Sequence, residues 1–277
     1  MPDARHLPVL MYHHVSDRPG LVTLSPHTFR EQMKWLATSG WKTVTAAEVE
    51  SFYRGDRLPR KSVMLTFDDG WLDNWFCAFP VLKEFGLHAH VFLITGLLGD
   101  GPVRLACGNR DDEASYSHRE CELLIEQGRA DEVMLRWSEV REMRRSGLVE
   151  FHPHTHTHRR WDALPYVTTP TDFIKSDILL SRERMKEMLG SCSQHLCWPE
   201  GYYTREYIRV AEALGFSYLY TTERRMNAPS QGSLRIGRIS TRERESTAWL
   251  KRRLFYYTTP FFSSLLALHR GQRMTDD

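Results

Sequence analysis

The chain has no CxxC pair. Its five cysteines (Cys77, Cys107, Cys121, Cys192 and Cys197) are odd in number and irregular in spacing. That argues against a disulfide framework and reads as reduced thiols in a cytoplasmic protein. No apolar run reaches the 18 or so residues of a membrane span, and the opening MPDARHLPVLMYHHV lacks the 7–15-residue apolar core of a secretory leader. A cytoplasmic chain is the expectation. An excess of one charge is missing too: 37 Lys and Arg against 35 Asp and Glu give a net charge of +2. Without a basic stripe, nucleic acid is not an expected partner.

The 277 residues, 41% hydrophobic and 26% charged, have the composition of an ordinary globular domain. That length suits one α/β barrel. Four times a helix-like segment ends in glycine and a strand-like run follows: QMKWLATSG then WKTVT, FPVLKEFG then LHAHVFLIT, VREMRRSG then LVEFHPH, and RVAEALG then FSYLYTT. Glycine just past a helix end takes the left-handed cap without strain. The apolar, β-branched and aromatic runs after it suit buried parallel strands. Further strands are expected at PVLMYHH, KSVMLTFDD, SQHLCWPEG and SLRIGRIS. Seven or eight strands alternating with helices point to a single-domain (β/α) barrel.

On that reading the polar residues acquire a geometry. His13 and His14 end one strand, Asp68 and Asp69 another, and VEFHPHTHTHRRW packs four histidines into seven residues at the end of a third. Pro199, Glu200 and Gly201 end a fourth. Parallel barrel strands present their C-termini on one face, so these groups converge. Two or three imidazoles with a carboxylate make a divalent-metal site with open positions, suited to zinc and acceptable to cobalt, nickel, iron or manganese. A further carboxylate as base and a histidine as acid complete the equipment for hydrolysing an amide or ester.

These residues carry a resemblance. Thr66-Phe67-Asp68-Asp69-Gly70 and His154-Thr155-His156-Thr157-His158 resemble the first two signatures of the polysaccharide deacetylase family, the NodB-homology domain of carbohydrate esterase family 4. The resemblance implies a distorted (β/α)7-type barrel, a divalent metal, and removal of N-acetyl groups from amino sugars. By position it makes Asp68 the general base and Asp69, His154 and His158 the metal ligands, with His156 nearby facing the ligands or the substrate. A rival register, His152 with His156, lacks the Ser or Thr after its first histidine.

The opening VLMYHHV is similar to a permuted sub-branch that includes deacetylases of poly-N-acetylglucosamine, which makes His13 the general acid. Leu266-Ala267-Leu268-His269 fits the unpermuted acid motif but lies in a C-terminal tail. The third signature, usually Arg-Pro-Pro-Tyr-Gly, is degraded to Cys197-Trp198-Pro199-Glu200-Gly201. Backbone N–H groups of Glu200 and Gly201 are expected to serve the oxyanion. Arg238 is the expected substitute for the missing arginine. Trp161 and Trp198, beside motifs, are candidates to stack on a sugar ring, while Trp71, Trp75 and Phe76 read as helix packing.

The expected domain spans 1–241, with a polar insertion at 99–135 too long for an ordinary βα loop. Residues 242–277 form a tail in which Lys251, Arg252 and Arg253 mix with Phe255, Tyr256, Tyr257, Phe261, Phe262, Leu265 and Leu266. That mixture suits either a helix packed on the barrel or a membrane-interface element. The expected substrate is therefore an N-acetylated glycan or a lipid-linked amino sugar, met at the inner membrane face in the second case. Deformylation of a sugar and a non-catalytic glycan-binding role are the alternatives.

Overall fold

The structure is a computed structural model that describes residues 3–105, 116–242 and 245–259. Five parallel strands form its backbone in the order β10–β1–β5–β6–β7, with β1 at Val9–Tyr12, β5 at Ser62–Phe67, β6 at Ala89–Leu93, β7 at Val149–Pro153 and β10 at Ile239–Ser240. β8 (His195–Cys197) and β9 (Tyr218–Tyr220) pair with each other. The segment before β10 runs alongside β9 through a parallel bridge between Tyr220 and Ile236, so β9 is joined to β10. Seven strands thus follow one another around a ring, and β7 meets β8 at a seam that no ladder among the described residues crosses. A side pair, β2 (His14–Val15) with β3 (Thr23–Leu24), lies beyond the end of β1.

All eight expected strand runs contain β structure, although WKTVT keeps only β4 at Lys42–Thr43, paired with the start of β5. The chain leaves the strand there because Thr45 and Glu48 form a reciprocal capping box that starts α2 (Ala46–Tyr53). The four helix-terminating glycines, Gly40, Gly86, Gly147 and Gly215, all have φ between 63° and 87°. A Cβ there would have open space around it, so backbone conformation and not crowding calls for glycine.

Helices α1 (Pro26–Thr38), α3 (Phe79–Phe85), α5 (Trp137–Arg145), α6 (Pro170–Leu189) and α7 (Arg205–Ala213) surround the ring. The expected insertion contains α4 (His118–Glu126), opened by a Ser117–Glu120 capping box. Of the expected tail, residues 247–258 form α8, whose Leu250, Leu254 and Tyr257 are buried in the same core as Leu10, Phe29 and Phe67. Phe261, Phe262, Leu265, Leu266 and His269 lie outside the described residues.

Candidate active site

The C-terminal ends of β1, β5, β7 and β8 open into a cleft of about 720 Å³, a volume typical of small-molecule sites. Asp68 and Asp69 follow β5 directly and are both buried. Each oxygen of Asp68 accepts from a different nitrogen of Arg238, at 2.7 and 2.8 Å. Arg238 is itself fully enclosed and donates Nε–H to the Thr221 carbonyl at 2.9 Å. Burial pushes the Asp68 pKa up, but Arg238, His154 and His13 together hold the carboxyl well below the usual carboxylate range. Asp68 is therefore an ionised, oriented carboxylate. His13 stands opposite, with Nε2 3.8 Å from Asp68 Oδ2. The Asn74 side-chain amide donates to the His13 carbonyl at 2.8 Å and fixes that turn.

Asp69 is divided differently. Its backbone sits at φ 75°, and Oδ2 accepts from the Trp71 indole at 2.8 Å. Oδ1 is buried and has no hydrogen-bond partner. Toward that orphan oxygen point His154 Nε2 at 3.5 Å and His158 Nε2 at 3.7 Å. His154 donates Nδ1–H to the Cys197 carbonyl at 2.8 Å, which leaves Nε2 with its lone pair facing Asp69. Burial, reinforced by His158, brings the His154 pKa down to about 4, so the ring is neutral at pH 7. A carboxylate oxygen without a partner and two imidazoles converging within 4.8 Å of one another fit a divalent cation.

The loop carrying the two histidines is held from outside. Asp177 on α6 is buried and accepts from the N–H groups of His156 and Thr157, the Thr157 hydroxyl and the Trp161 indole. Thr155 and His158 take left-handed backbone conformations, φ 61° and 58°. Both His154 and His158 reach Asp69 Oδ1, four residues apart, because the chain turns there. His152 does not belong to this set: it faces the barrel interior, 3.0 Å from His90 and 2.7 Å from Ser193. His156 turns aside and bonds the Thr95 hydroxyl at 3.0 Å.

Three expectations need correction. Trp198 cannot stack on a sugar, because its side chain is fully buried against Tyr203 and Tyr207. Side chains alternate along β8, so Cys197 turns to the site and Trp198 away from it. Trp161 is committed to Asp177 and stacks on Phe173. Gly201 donates its N–H to the Trp198 carbonyl at 2.8 Å, so of the expected pair Glu200 is left to serve an oxyanion. Glu200 does line the cleft, at φ 54°. Gly201 is required as glycine, since a Cβ there would stand 2.3 Å from the Thr222 hydroxyl at φ 73°.

Trp71, expected as helix packing, belongs to the site instead, and further residues there were not anticipated. The Trp71 indole orients Asp69 and stacks on His14, whose Nδ1 is 2.6 Å from Asp73. His118 and Glu122, from the insertion, form a cleft wall with Arg224 and Arg242 opposite. Nothing in the spacing of those positions marks them. His118 and Glu122 come in on α4, where His118 Nδ1 stands 3.1 Å from His14 Nε2.

The chain matches the polysaccharide deacetylase family model over residues 55–219, more than half its length. It belongs to that family. It is accordingly a carbohydrate deacetylase by class. YxkH of Bacillus subtilis (strain 168), also named as a polysaccharide deacetylase, is 28% identical over 234 residues, covering 84% of this chain and 70% of that one. Poly-beta-1,6-N-acetyl-D-glucosamine N-deacetylase of Escherichia coli (strain K12) is 31% identical over 150 residues, 53% of this chain but 20% of the larger protein. The structure of IcaB from Ammonifex degensii superposes with a TM-score of 0.71 at 26% identity, covering 92% of this chain and 98% of that one.

Proposed function

We propose that this chain removes N-acetyl groups from an amino-sugar glycan, releasing acetate and a free amine, with one divalent cation, zinc first among candidates, held by Asp69, His154 and His158. The observation that supports it most is the unpartnered Asp69 Oδ1 facing two Nε2 lone pairs, one carboxylate away from an Arg238-clamped Asp68. A cation held there would act as Lewis acid toward the acetyl carbonyl and the attacking water. Asp68 accepts the water's proton. Arg238, bonded to both its oxygens, keeps the carboxylate ionised and aimed. The Glu200 N–H serves the developing oxyanion. His13, across the cleft from the ligands, gives a proton to the departing nitrogen and is the acid expected from the sequence.

The sugar is a polymer of N-acetylglucosamine on this reading, as the name of the Escherichia coli relative suggests for that protein. The test is acetate release by zinc-loaded wild type and Asp68→Asn from poly-β-1,6-N-acetylglucosamine, chitin oligomers and lipid-linked N-acetyl sugars in parallel. Release from the polymer by the wild type alone is expected. Release only from the lipid-linked sugars would replace the polymer as substrate. Absence of acetate from all three, with the metal bound, would overturn the proposal.

A further inference from the structure

A second set of metal-binding side chains lies at the other end of the barrel. In LHAHVFLIT, His88 and His90 are two residues apart on one strand run, so their side chains leave the same face. Glu150 is the register partner of His90 on β7, which sets its carboxylate on that face one strand away. Glu150 Oε1 is 3.6 Å from His88 Nε2, and Oε2 is 3.5 Å from His90 Nδ1. Ligands about 2.1 Å from a tetrahedral ion stand roughly 3.4 Å from each other. One ligand atom from each of the three groups lies within 4.8 Å of the others, close enough to gather around an ion.

Two observations beyond the spacing point to a ligand. His88 is buried, 8% exposed, and its Nε2 has no hydrogen-bond partner although it faces the carboxylate. Such an atom carries a cost of desolvation that only the nearby Glu150 carboxylate offsets. His90 donates Nε2–H to the Val44 carbonyl at 2.8 Å, which leaves the lone pair on Nδ1, the nitrogen 3.5 Å from Glu150. Glu150 is a third exposed and borders a cavity with Ala46, His152 and Ser193, which gives an ion a way in.

We infer that His88 Nε2, His90 Nδ1 and Glu150 form a second divalent-metal site, for a zinc-class ion, separate from the site at Asp69. The ion takes the carboxylate and two imidazoles, and water completes its shell. His152 Nε2 is 3.0 Å from His90 Nδ1 and shares that lone pair, so binding displaces one hydrogen bond. This is the weaker site of the two. Because Glu150 also accepts the Ala46 N–H at 2.8 Å, the ion would fasten β6 and β7 to the start of α2.

The test uses the full chain, stripped with a chelator and equilibrated by dialysis against a fixed free concentration of Zn²⁺ or Co²⁺. The expected content is two ions per chain in the wild type. His158→Ala should retain one, seen with Co²⁺ as visible absorption of a four-coordinate site. Glu150→Gln should likewise retain one, and the combination none. Glu150→Gln keeps the side-chain volume and an acceptor for Ala46, so it folds even where His88→Ala does not; far-UV circular dichroism checks this. One ion in the wild type with none in His158→Ala, or two ions surviving Glu150→Gln, overturns the inference. None of these readings depends on which substrate the enzyme cleaves.

Discussion

Asp68 and Asp69 are adjacent and both buried, yet their partners give them opposite work. Arg238 takes both oxygens of Asp68, whereas Asp69 keeps one oxygen bare. Asp68→Asn should therefore lower kcat by about 10²–10⁴-fold while metal content, measured by mass spectrometry, stays at the wild-type value. Arg238→Met strands a buried carboxylate. That should cost about 3–5 kcal/mol in urea unfolding. The surviving activity should also shift: without the guanidinium the Asp68 pKa rises, so the acid limb of kcat/KM moves to higher pH. At this scale the sequence was most readable where a motif is contiguous, as in TFDDG and HTHTH. It was unreadable where a partner arrives from another segment. Arg238 came from position in the final strand, while Trp71 and Asp177 had no signal at all, because side-chain direction at a loop is set by φ values such as the 75° of Asp69.

Among elements, the loop after β7 and helix α6 act as one piece. Asp177 accepts four donors from residues 156–161, and those bonds hold the backbone that carries both imidazoles. Asp177→Ala should weaken zinc affinity by about 10–100-fold in competitive chelator titration, with the ligands themselves intact. The interior histidines make a second prediction. Burial first, then neighbouring imidazoles, hold His152 well below 6.5, and His90 sits at about 3. Both take up protons on unfolding at mildly acidic pH. Their contribution is thus fully present above pH 6.5 and is lost as pH falls toward the folded-state values. The urea midpoint of metal-free protein should drop between pH 7 and 5, each group adding up to about 1.4 kcal/mol per pH unit. His152→Gln should flatten that slope. Elements were legible where chemistry is local: four helix–glycine–strand junctions stand where the sequence puts them. The shortness of β4 was missed because the capping box at Thr45 was not weighed against the β-branched run before it.

For the whole molecule, the expected boundary at residue 241 does not coincide with an edge of the core. Leu250 and Leu254 of α8 are fully buried beside α1, and burial of such side chains is worth about 2–5 kcal/mol each against alanine. Ending the chain before Thr247 should lower the thermal midpoint sharply. On the membrane reading of the aromatic and basic tail, the full chain sediments with anionic liposomes and the chain ending at Thr259 does not. Among the described residues, the ring is not woven all the way round. Between β7 and β8 the backbones exchange no ladder, and the His154-to-Cys197 and His152-to-Ser193 bonds span the gap. On the proposed assignment, the His154 imidazole thus faces the cation with one nitrogen and helps tie β7 to β8 with the other. Losing it should slacken the wall as well as empty the site: amide exchange at Leu196 and Cys197 should quicken in His154→Ala but stay slow in His158→Ala, although both lose the metal.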